Sequence, residues 1–412
     1  MRTFLLLLTS LLIVSCNRDI KTPKAGEWRA VLELDRGKEI PFLMDIAEDH
    51  TITIHNGDEA IKIDAVKFEG DSITIAHPVF EGVFKGIYTE DSIYGNFIKP
   101  SLDRVVPFKM KRGRAERFTV KSAPKADVTG NWETVFSPKS SADRYIAKGT
   151  FEQTGHKVTG TFRTTTGDYR FLEGAVENDT MRLSTFDGAH AFLFEAKVED
   201  TIMTGTFYSG NHFKEPFTAK RNENFELPKA DSLTFLKEGY DKIEFSFPNT
   251  KGEQISLEDE QFQGKVVLVQ IMGTWCPNCV DETKYYKKYY DKNKGKDFEI
   301  VSLAFEYAPT ELKAMAAITK FKEALDVPYP ILLAQHGTED KKKANQKLPM
   351  LNHVLSYPTT IFIDKNGNVR RIHTGFNGPA TGKKYDEFVK DFESFVGSLL
   401  NEKVDEIKKK EE

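Results

Sequence analysis

Two cysteines separated by two residues, Cys276 and Cys279, are the residues whose types and spacing most directly suggest chemistry. They follow an apolar run at 266–272 and precede a stretch without Gly or Pro that lasts until Gly295, which predicts a strand and then a helix. A C-x-x-C pair at such a junction is typical of thiol–disulfide exchange. The alternative is half of a structural zinc site, which needs four ligands. The sequence has neither a second C-x-x-C nor a close histidine pair, so redox chemistry is favoured.

The predicted helix gives the two cysteines different roles. Cys276 falls at the N-cap, and Pro277 falls at the first helical position, where its missing N–H costs nothing. Free N–H groups and the positive end of the helix dipole favour a thiolate at Cys276. We therefore expect Cys276 to be the exposed attacking thiolate. Cys279, one turn further in and more buried, is expected to resolve the mixed disulfide.

The elements around the pair predict an α/β domain over 240–400. The run 266–272 is apolar on both faces, as in a central strand of a covered sheet. Further strands are predicted at 298–304, 359–364 and 369–372, the last two joined through an Asn-Gly turn. Helices are predicted at about 276–293, at about 309–325 and near the end of the domain. In the second helix we expect one side to be formed by Leu312, Met315, Ala316 and Thr319. The Lys-rich segment 335–350 is predicted to be a solvated loop and helix, and 401–412 a charged tail.

Residues 240–400 resemble the TlpA-like thiol–disulfide oxidoreductases of the thioredoxin superfamily. The resemblance rests on GKVVLV at 264–269, GTWCPNC at 273–279 and YPTTIFID at 357–364. It implies a thioredoxin fold and a protein disulfide oxidoreductase that needs no cofactor. The implied partners are client proteins with cysteines or disulfides, together with a membrane or periplasmic electron donor.

The resemblance also implies roles for individual residues. The catalytic set would be Cys276, Cys279, Pro358, Glu282 and Trp275, and the substrate-binding set Tyr357, Pro277 and Thr359. Pro358 is expected to follow a cis bond and to turn the Tyr357 backbone towards an extended substrate.

The proton carrier is a second point of comparison with the family. Thioredoxin has a carboxylate six residues before its first cysteine, where this chain has Gln270. Glu282 instead matches a glutamate of TlpA-like reductases and is expected to move protons for Cys279, the alternative being a solvent-facing helix glutamate.

Two features of the sequence concern which thiol reaction the chain catalyses. The Pro-Asn dipeptide between the cysteines departs from the family pattern, so the direction of electron flow is not readable from it, and the resemblance alone favours a reductase. A thiol peroxidase would need Pro and Thr or Ser at seven and three residues before the reactive cysteine. This chain has Val269 and Gly273 there, which argues against a peroxidase.

The N-terminal half predicts a tandem duplication of an antiparallel all-β domain. Short alternating segments broken by Gly, Asp and Asn run through 26–225. GEW at 26–28 recurs as GNW at 130–132, and PF at 107–108 before KR at 111–112 recurs at 216–217 and 220–221. We place the repeats at 26–118 and 126–224, each a barrel or curled meander of about eight strands. Trp28 and Trp132 either plug the barrel ends or line ligand sites, and plugging is favoured.

The N-terminus predicts export and lipidation. Residues 1–15 contain a short apolar run, too short for a membrane span, that fits a signal peptide. The ending LIVSC resembles a bacterial lipobox, so Cys16 is the predicted lipidation site and 16–25 a tether, the alternative being a plain signal peptide with an incidental cysteine. The expected location is the cell envelope, facing the periplasm, with the outer membrane favoured over the inner and surface exposure left open.

Composition adds few constraints. A length of 412 residues predicts about two to four domains, and the net charge of −4 gives no indication of a nucleic-acid partner. Nine histidines are scattered without metal-ligand spacing, so no metal site is predicted. The competing function is a ligand- or protein-binding lipoprotein in which the β repeats dominate and the thioredoxin domain is accessory.

Overall fold

The structure is a computed structural model that describes residues 21–113 and 116–403. The predicted signal peptide, the lipidation site Cys16 and residues 404–412 of the tail lie outside the described residues. Two antiparallel β sheets are followed by an α/β domain, which confirms the predicted fold class. Among the described residues, no helix combines the length and apolar character needed to span a membrane.

The first repeat is a nine-stranded antiparallel sheet that curls without closing. Its order is β4-β3-β2-β1-β9-β8-β7-β6-β5, so the two edge strands β4 and β5 are consecutive in sequence but are not paired. Phe186 from the second repeat packs into its core and stacks on Phe42, with ring centroids 4.5 Å apart. The strands are β1 (Gly26–Glu33), β2 (Glu39–Ile46), β3 (Ile52–Asn56), β4 (Glu59–Ile63), β5 (Val66–Glu69), β6 (Ser72–Ala76), β7 (Val83–Tyr88), β8 (Ser92–Lys99) and β9 (Arg104–Arg112).

The second repeat closes into an antiparallel barrel. Its order is β11-β10-β18-β17-β16-β15-β14-β12-β13, and an additional β11–β12 pairing joins the ends. The strands are β10 (Gly130–Phe136), β11 (Tyr145–Thr154), β12 (Lys157–Thr164), β13 (Gly167–Asp168), β14 (Leu172–Glu177), β15 (Thr180–Phe186), β16 (Ala191–Glu199), β17 (Ile202–Ser209) and β18 (Phe213–Arg221).

Equivalent tryptophans show how closely the two repeats correspond. Trp28 lies opposite Arg112, and Trp132 lies opposite Arg221, in the same pairing of first and last strand. Each indole N–H donates to the main-chain carbonyl four residues earlier, at 3.0 and 2.9 Å. Both side chains are fully buried in the repeat cores, as expected for barrel plugs.

The C-terminal domain is a five-stranded sheet of order β23-β22-β21-β24-β25 with helices packed on it, preceded by a two-stranded hairpin. All seven residues of the central strand β21 are buried, as its apolar sequence predicts. The strand β23 is an addition to the sequence prediction. The strands are β19 (Ser246–Pro248), β20 (Gln254–Ser256), β21 (Val266–Met272), β22 (Phe298–Phe305), β23 (Ile331–Gln335), β24 (Thr359–Ile363) and β25 (Val369–Thr374), and the helices α1 (Pro277–Lys292), α2 (Glu311–Ala324), α3 (Lys341–Lys347) and α4 (Lys383–Asn401).

The side of α2 on which the sequence places Leu312, Met315, Ala316 and Thr319 is not the side that the helix buries. The helix buries Ala314, Ile318 and Phe321, at i, i+4 and i+7, against the sheet. Leu312 lies on the opposite side and is 82% exposed. Both sets have helical spacing, and the larger aromatic and branched side chains take the core because they remove more apolar surface from water.

Candidate functional site

The C-x-x-C pair lies at the junction of β21 and α1. Cys276 is the N-cap residue of α1, and its sulfur accepts a hydrogen bond from the Cys279 N–H at 3.3 Å. Pro277 is the first helical residue, the position predicted from the sequence. Both cysteines are free thiols, with Cys276 7% exposed and Cys279 fully buried. The expectation that Cys276 is exposed is therefore wrong: both cysteines are buried, and only the Cys276 sulfur is slightly accessible.

A second loop faces the first cysteine. The Tyr357–Pro358 bond is cis, as expected. The Cys276 thiol donates to the Tyr357 carbonyl at 3.4 Å, and the Trp275 ring meets the Tyr357 ring edge-on at 5.6 Å between centroids. Thr359 is buried and its hydroxyl donates to the Ser356 carbonyl at 2.9 Å, so this side chain shapes the loop from inside.

Glu282 is buried behind the cysteines. Its carboxylate accepts hydrogen bonds from Gln270 Nε2 at 2.8 Å and from the hydroxyls of Tyr286 and Thr360, each at 3.2 Å. Burial raises the pKa of Glu282 to about 7, although the hydrogen bond from Gln270 acts in the opposite direction. The alternative of a solvent-facing glutamate is therefore wrong. Gln270, at the position where thioredoxin has its acid, instead holds this carboxylate.

Cys279 is protonated in its resting state. Burial, and next the hydrogen bond and charge of Cys276, raise the pKa of the Cys279 thiol well above its usual value, and the Glu282 carboxylate adds to the rise. A thiol attacks only as the thiolate. The buried cysteine must therefore lose a proton before it can react, and Glu282, on the same helix, is a carboxyl whose charge acts on it.

A further buried carboxylate, Glu306, holds the loop before the cysteines and was missed in the sequence. It accepts hydrogen bonds from the Thr274 N–H and the Thr274 hydroxyl, both at 2.8 Å. Burial raises the pKa of Glu306 to about 7. Trp275 is fixed beside it, because its indole N–H donates to the Phe305 carbonyl at 3.0 Å. One feature of the sequence could have predicted this contact: Glu306 directly follows the strand β22. Because β21 and β22 are parallel, their carboxyl ends meet at one sheet edge, which places Glu306 beside the loop that follows β21.

The second β repeat also contacts residues 274–279, here termed the cysteine loop, of which 277–279 form the first turn of α1. The sequence did not indicate this contact. The Asn278 side-chain amide donates to the Asp168 carbonyl at 3.2 Å. Arg170 donates to the Pro277 carbonyl at 3.1 Å. Both residues between the cysteines are thus bonded to a segment more than a hundred positions earlier in the chain.

Arg170 is the centre of a buried ion cluster. Its guanidinium pairs with Glu59 of the first repeat, with Asp187 of the second at 3.1 Å and with Asp281 of α1. The arginine side chain is only 4% exposed. One buried cation therefore joins all three domains next to the cysteines. In the parts of the chain that the structure covers, no cluster of three or more His, Cys, Asp or Glu side chains is placed to hold a metal ion.

Comparisons with known proteins match the C-terminal part of the chain. The model of a family described as Redoxin matches residues 238–388. Thioredoxin-like protein YneN of Bacillus subtilis is 33% identical over 144 residues, which cover 34% of this chain and 73% of YneN. Thiol-disulfide oxidoreductase ResA of Bacillus thuringiensis is 28% identical over 152 residues, 37% of this chain and 76% of ResA. A solved thiol-disulfide oxidoreductase from Bacteroides fragilis is 22% identical, covers 36% of this chain and 99% of that structure, and has a TM-score of 0.27.

Proposed function

We propose that this chain, which belongs to the thioredoxin-like thiol–disulfide oxidoreductases, is an exported, membrane-anchored member that reduces disulfides in client proteins. Protein disulfide oxidoreductase activity follows from the family. The observation that carries the proposed exchange of disulfides with clients is the asymmetric dithiol: Cys276 is the N-cap of α1, and Cys279 is fully buried behind it.

The reaction divides into two exchanges. The Cys276 thiolate attacks one sulfur of a client disulfide, and the other client sulfur leaves as a thiolate. Cys279 then loses its proton and attacks the Cys276 sulfur, which forms the Cys276–Cys279 disulfide and releases the second client thiol. The client gains two electrons and the dithiol loses two. A separate membrane or periplasmic dithiol donor would return the protein to its reduced form.

The neighbouring residues have distinct proposed roles in these exchanges. The Tyr357–Pro358 loop, with Thr359 bracing it, would bind the client main chain next to the Cys276 sulfur, supported by the thiol contact to the Tyr357 carbonyl. Trp275 and Pro277 would form the neighbouring walls. Glu282 would accept the Cys279 proton, supported by its burial and its raised pKa of about 7.

The proposal also includes the direction of electron flow and the location of the protein. Reduction is favoured over oxidation through the family resemblance. Lipidation at Cys16 would tether the protein to the cell envelope, facing the periplasm, and we favour the outer membrane. With Cys16 lipidated, Cys276 and Cys279 would be the only free thiols of the chain.

Trapping of mixed disulfides tests this function. In Cys279→Ser the first exchange proceeds and the second cannot, so client proteins should accumulate as disulfide-linked adducts on Cys276. The double variant Cys276→Ser/Cys279→Ser is the matched control and should trap nothing. Adducts that are absent from Cys279→Ser, or equally abundant in the control, would contradict the proposal.

A further inference from the structure

The residues that a client would have to touch are contacted by the chain itself. Residues 164–170 of the second β repeat, here termed the cover segment, connect the end of β12 to the start of β14 and include β13. This segment lies against the dipeptide between the cysteines and against the loop that contains the cis bond. It therefore occupies the face of the proposed site.

Three separate loops of the thioredoxin domain bind the cover segment. The Asp168 carbonyl accepts from the Asn278 amide at 3.2 Å, as described above. The Thr166 carbonyl accepts from the Ser356 hydroxyl at 2.7 Å, immediately before the cis bond. The Asp168 carboxylate accepts from the Gly378 N–H at 2.6 Å. The cover segment thus spans the site from the cysteine loop to the loop after β25.

The contact is close enough to require a glycine. Gly167 has φ +144°, a conformation that other residues rarely adopt. A Cβ at this position would lie 2.2 Å from the Asn278 amide nitrogen. The cover segment is therefore shaped to the cysteine loop rather than lying loosely over it.

The buried ion cluster of Arg170 fastens one end of the cover segment. Its guanidinium holds the Pro277 carbonyl and the carboxylates of Glu59, Asp187 and Asp281. A buried cation stays in place while its partners stay paired, because separating the charges would leave them uncompensated. Displacing the cover segment requires breaking these bonds, so Arg170 acts as a positioning residue for the closed state.

Resting on the proposed function, we propose that the cover segment determines client specificity: a client reaches Cys276 only by displacing it, while small disulfides need less opening. With the segment in place, Cys276 is 7% exposed, and the Tyr357 carbonyl is bonded to its thiol. A folded protein cannot bring a disulfide into line with that sulfur. The β repeats thereby act as a selective gate on the redox site.

The test compares two disulfides and two alkylating reagents on the full chain. Reduced protein is reacted with insulin and with a small aromatic disulfide, and separately with N-ethylmaleimide and a bulky polyethylene-glycol maleimide, which share one reactive group and differ in size. Arg170→Met removes the ion cluster's cation. Asp168→Ala removes the carboxylate that accepts from the Gly378 N–H and from the Arg170 main-chain N–H, and keeps the Arg170 guanidinium. Arg182→Ala is the matched control, since Arg182 is an ion-paired arginine of the same barrel that bonds to Glu177 and the Thr119 carbonyl.

We expect the ratio of insulin to small-disulfide rates to rise about tenfold or more in Arg170→Met and Asp168→Ala, since each loses a charge-assisted hydrogen bond of the closed state. The ratio of bulky to small alkylation rates at Cys276 should rise with it, and Arg182→Ala should change neither. If Arg170→Met fails to fold, the gate is tested with Asp168→Ala and with the ratio of bulky to small alkylation rates in wild type. Unchanged ratios in folded variants, or equal alkylation of wild type by both reagents, would overturn the gate. Wild type inert to both disulfides would overturn the proposed function instead, while the alkylation ratio still reports on the gate.

Discussion

Replacing Glu282 with glutamine should separate the two exchanges of the reaction. The substitution keeps the size of a fully buried side chain and removes its ability to accept a proton. Burial gives Glu282 a pKa of about 7, so at neutral pH about half of the carboxyls are ready to take the proton from Cys279. General bases in such positions typically contribute about a hundredfold or more in rate.

The assay follows resolution alone. A mixed disulfide is formed on Cys276 with a small chromogenic thiol, and release of that thiol is measured against pH. We expect the wild-type rate to rise through an inflection near 7, as Glu282 ionises. In Glu282→Gln the rate should fall about a hundredfold and follow only the raised pKa of Cys279. Glu258→Gln, at an exposed loop glutamate, is the control and should resemble wild type.

The same substitution has a thermodynamic consequence with a definite sign. A carboxyl whose pKa is raised from 4.5 to about 7 on folding binds more protons folded than unfolded between those values, so stability falls as pH rises through that window. The difference corresponds to about 3 kcal/mol above pH ~7. The melting temperature of Glu282→Gln minus that of wild type should therefore increase as the pH is raised from about 5 to about 8. Two results together would refute the assignment of Glu282 as proton carrier: a rate–pH profile of Glu282→Gln that still has its inflection near 7, and a difference in melting temperature between the variant and wild type that does not change with pH.

Three further substitutions test the positioning of the site and the cores. Glu306→Ala should leave the buried Thr274 N–H unpaired, costing about 1–3 kcal/mol and slowing insulin reduction, whereas Glu306→Gln, which keeps an acceptor, should retain most activity; urea unfolding and the insulin assay read this out. Trp132→Ala should destabilise the barrel by about 3–5 kcal/mol, seen as an earlier loss of its β-sheet circular dichroism on heating. In α2, Ile318→Ala should lower thermal stability by about 2–5 kcal/mol, while Leu312→Ser should stay within about 0.5 kcal/mol, and the opposite order would contradict the buried face described above.

The cysteine loop was predictable because its determinants are local. An apolar run, a proline at the first helical position and the cysteine spacing place Cys276 at the helix N-cap without reference to any distant residue. The duplication was predictable in the same way, because the recurring GEW/GNW and KR segments are local patterns, and the structure places them in equivalent first and last strands of the two repeats. Periodicity was insufficient where two patterns compete, as on α2, and where a run is short, as in β23, whose five residues are all buried.

The parts that escaped prediction depend on contacts between distant segments. Asp168 and Arg170 meet Asn278 and Pro277 across more than a hundred residues, and no local pattern of charge or hydropathy marks them. The two repeats share a sequence pattern, yet one is closed and the other open. Phe186 of the closed copy fills the core of the open one, a difference that only the packing of the two together produces.

The most direct test of the central claim is an equilibrium redox titration of the full chain, with Cys16 either lipidated or replaced by serine. The protein is equilibrated in glutathione buffers of graded potential, and free thiols are counted by alkylation and mass spectrometry. The account predicts a single two-electron transition in which Cys276 and Cys279 are lost from the alkylated pool together, at a potential that shifts when Arg170→Met removes the hydrogen bond to the Pro277 carbonyl. Two thiols that remain alkylated throughout, or that react independently of each other, would contradict a working Cys276–Cys279 couple.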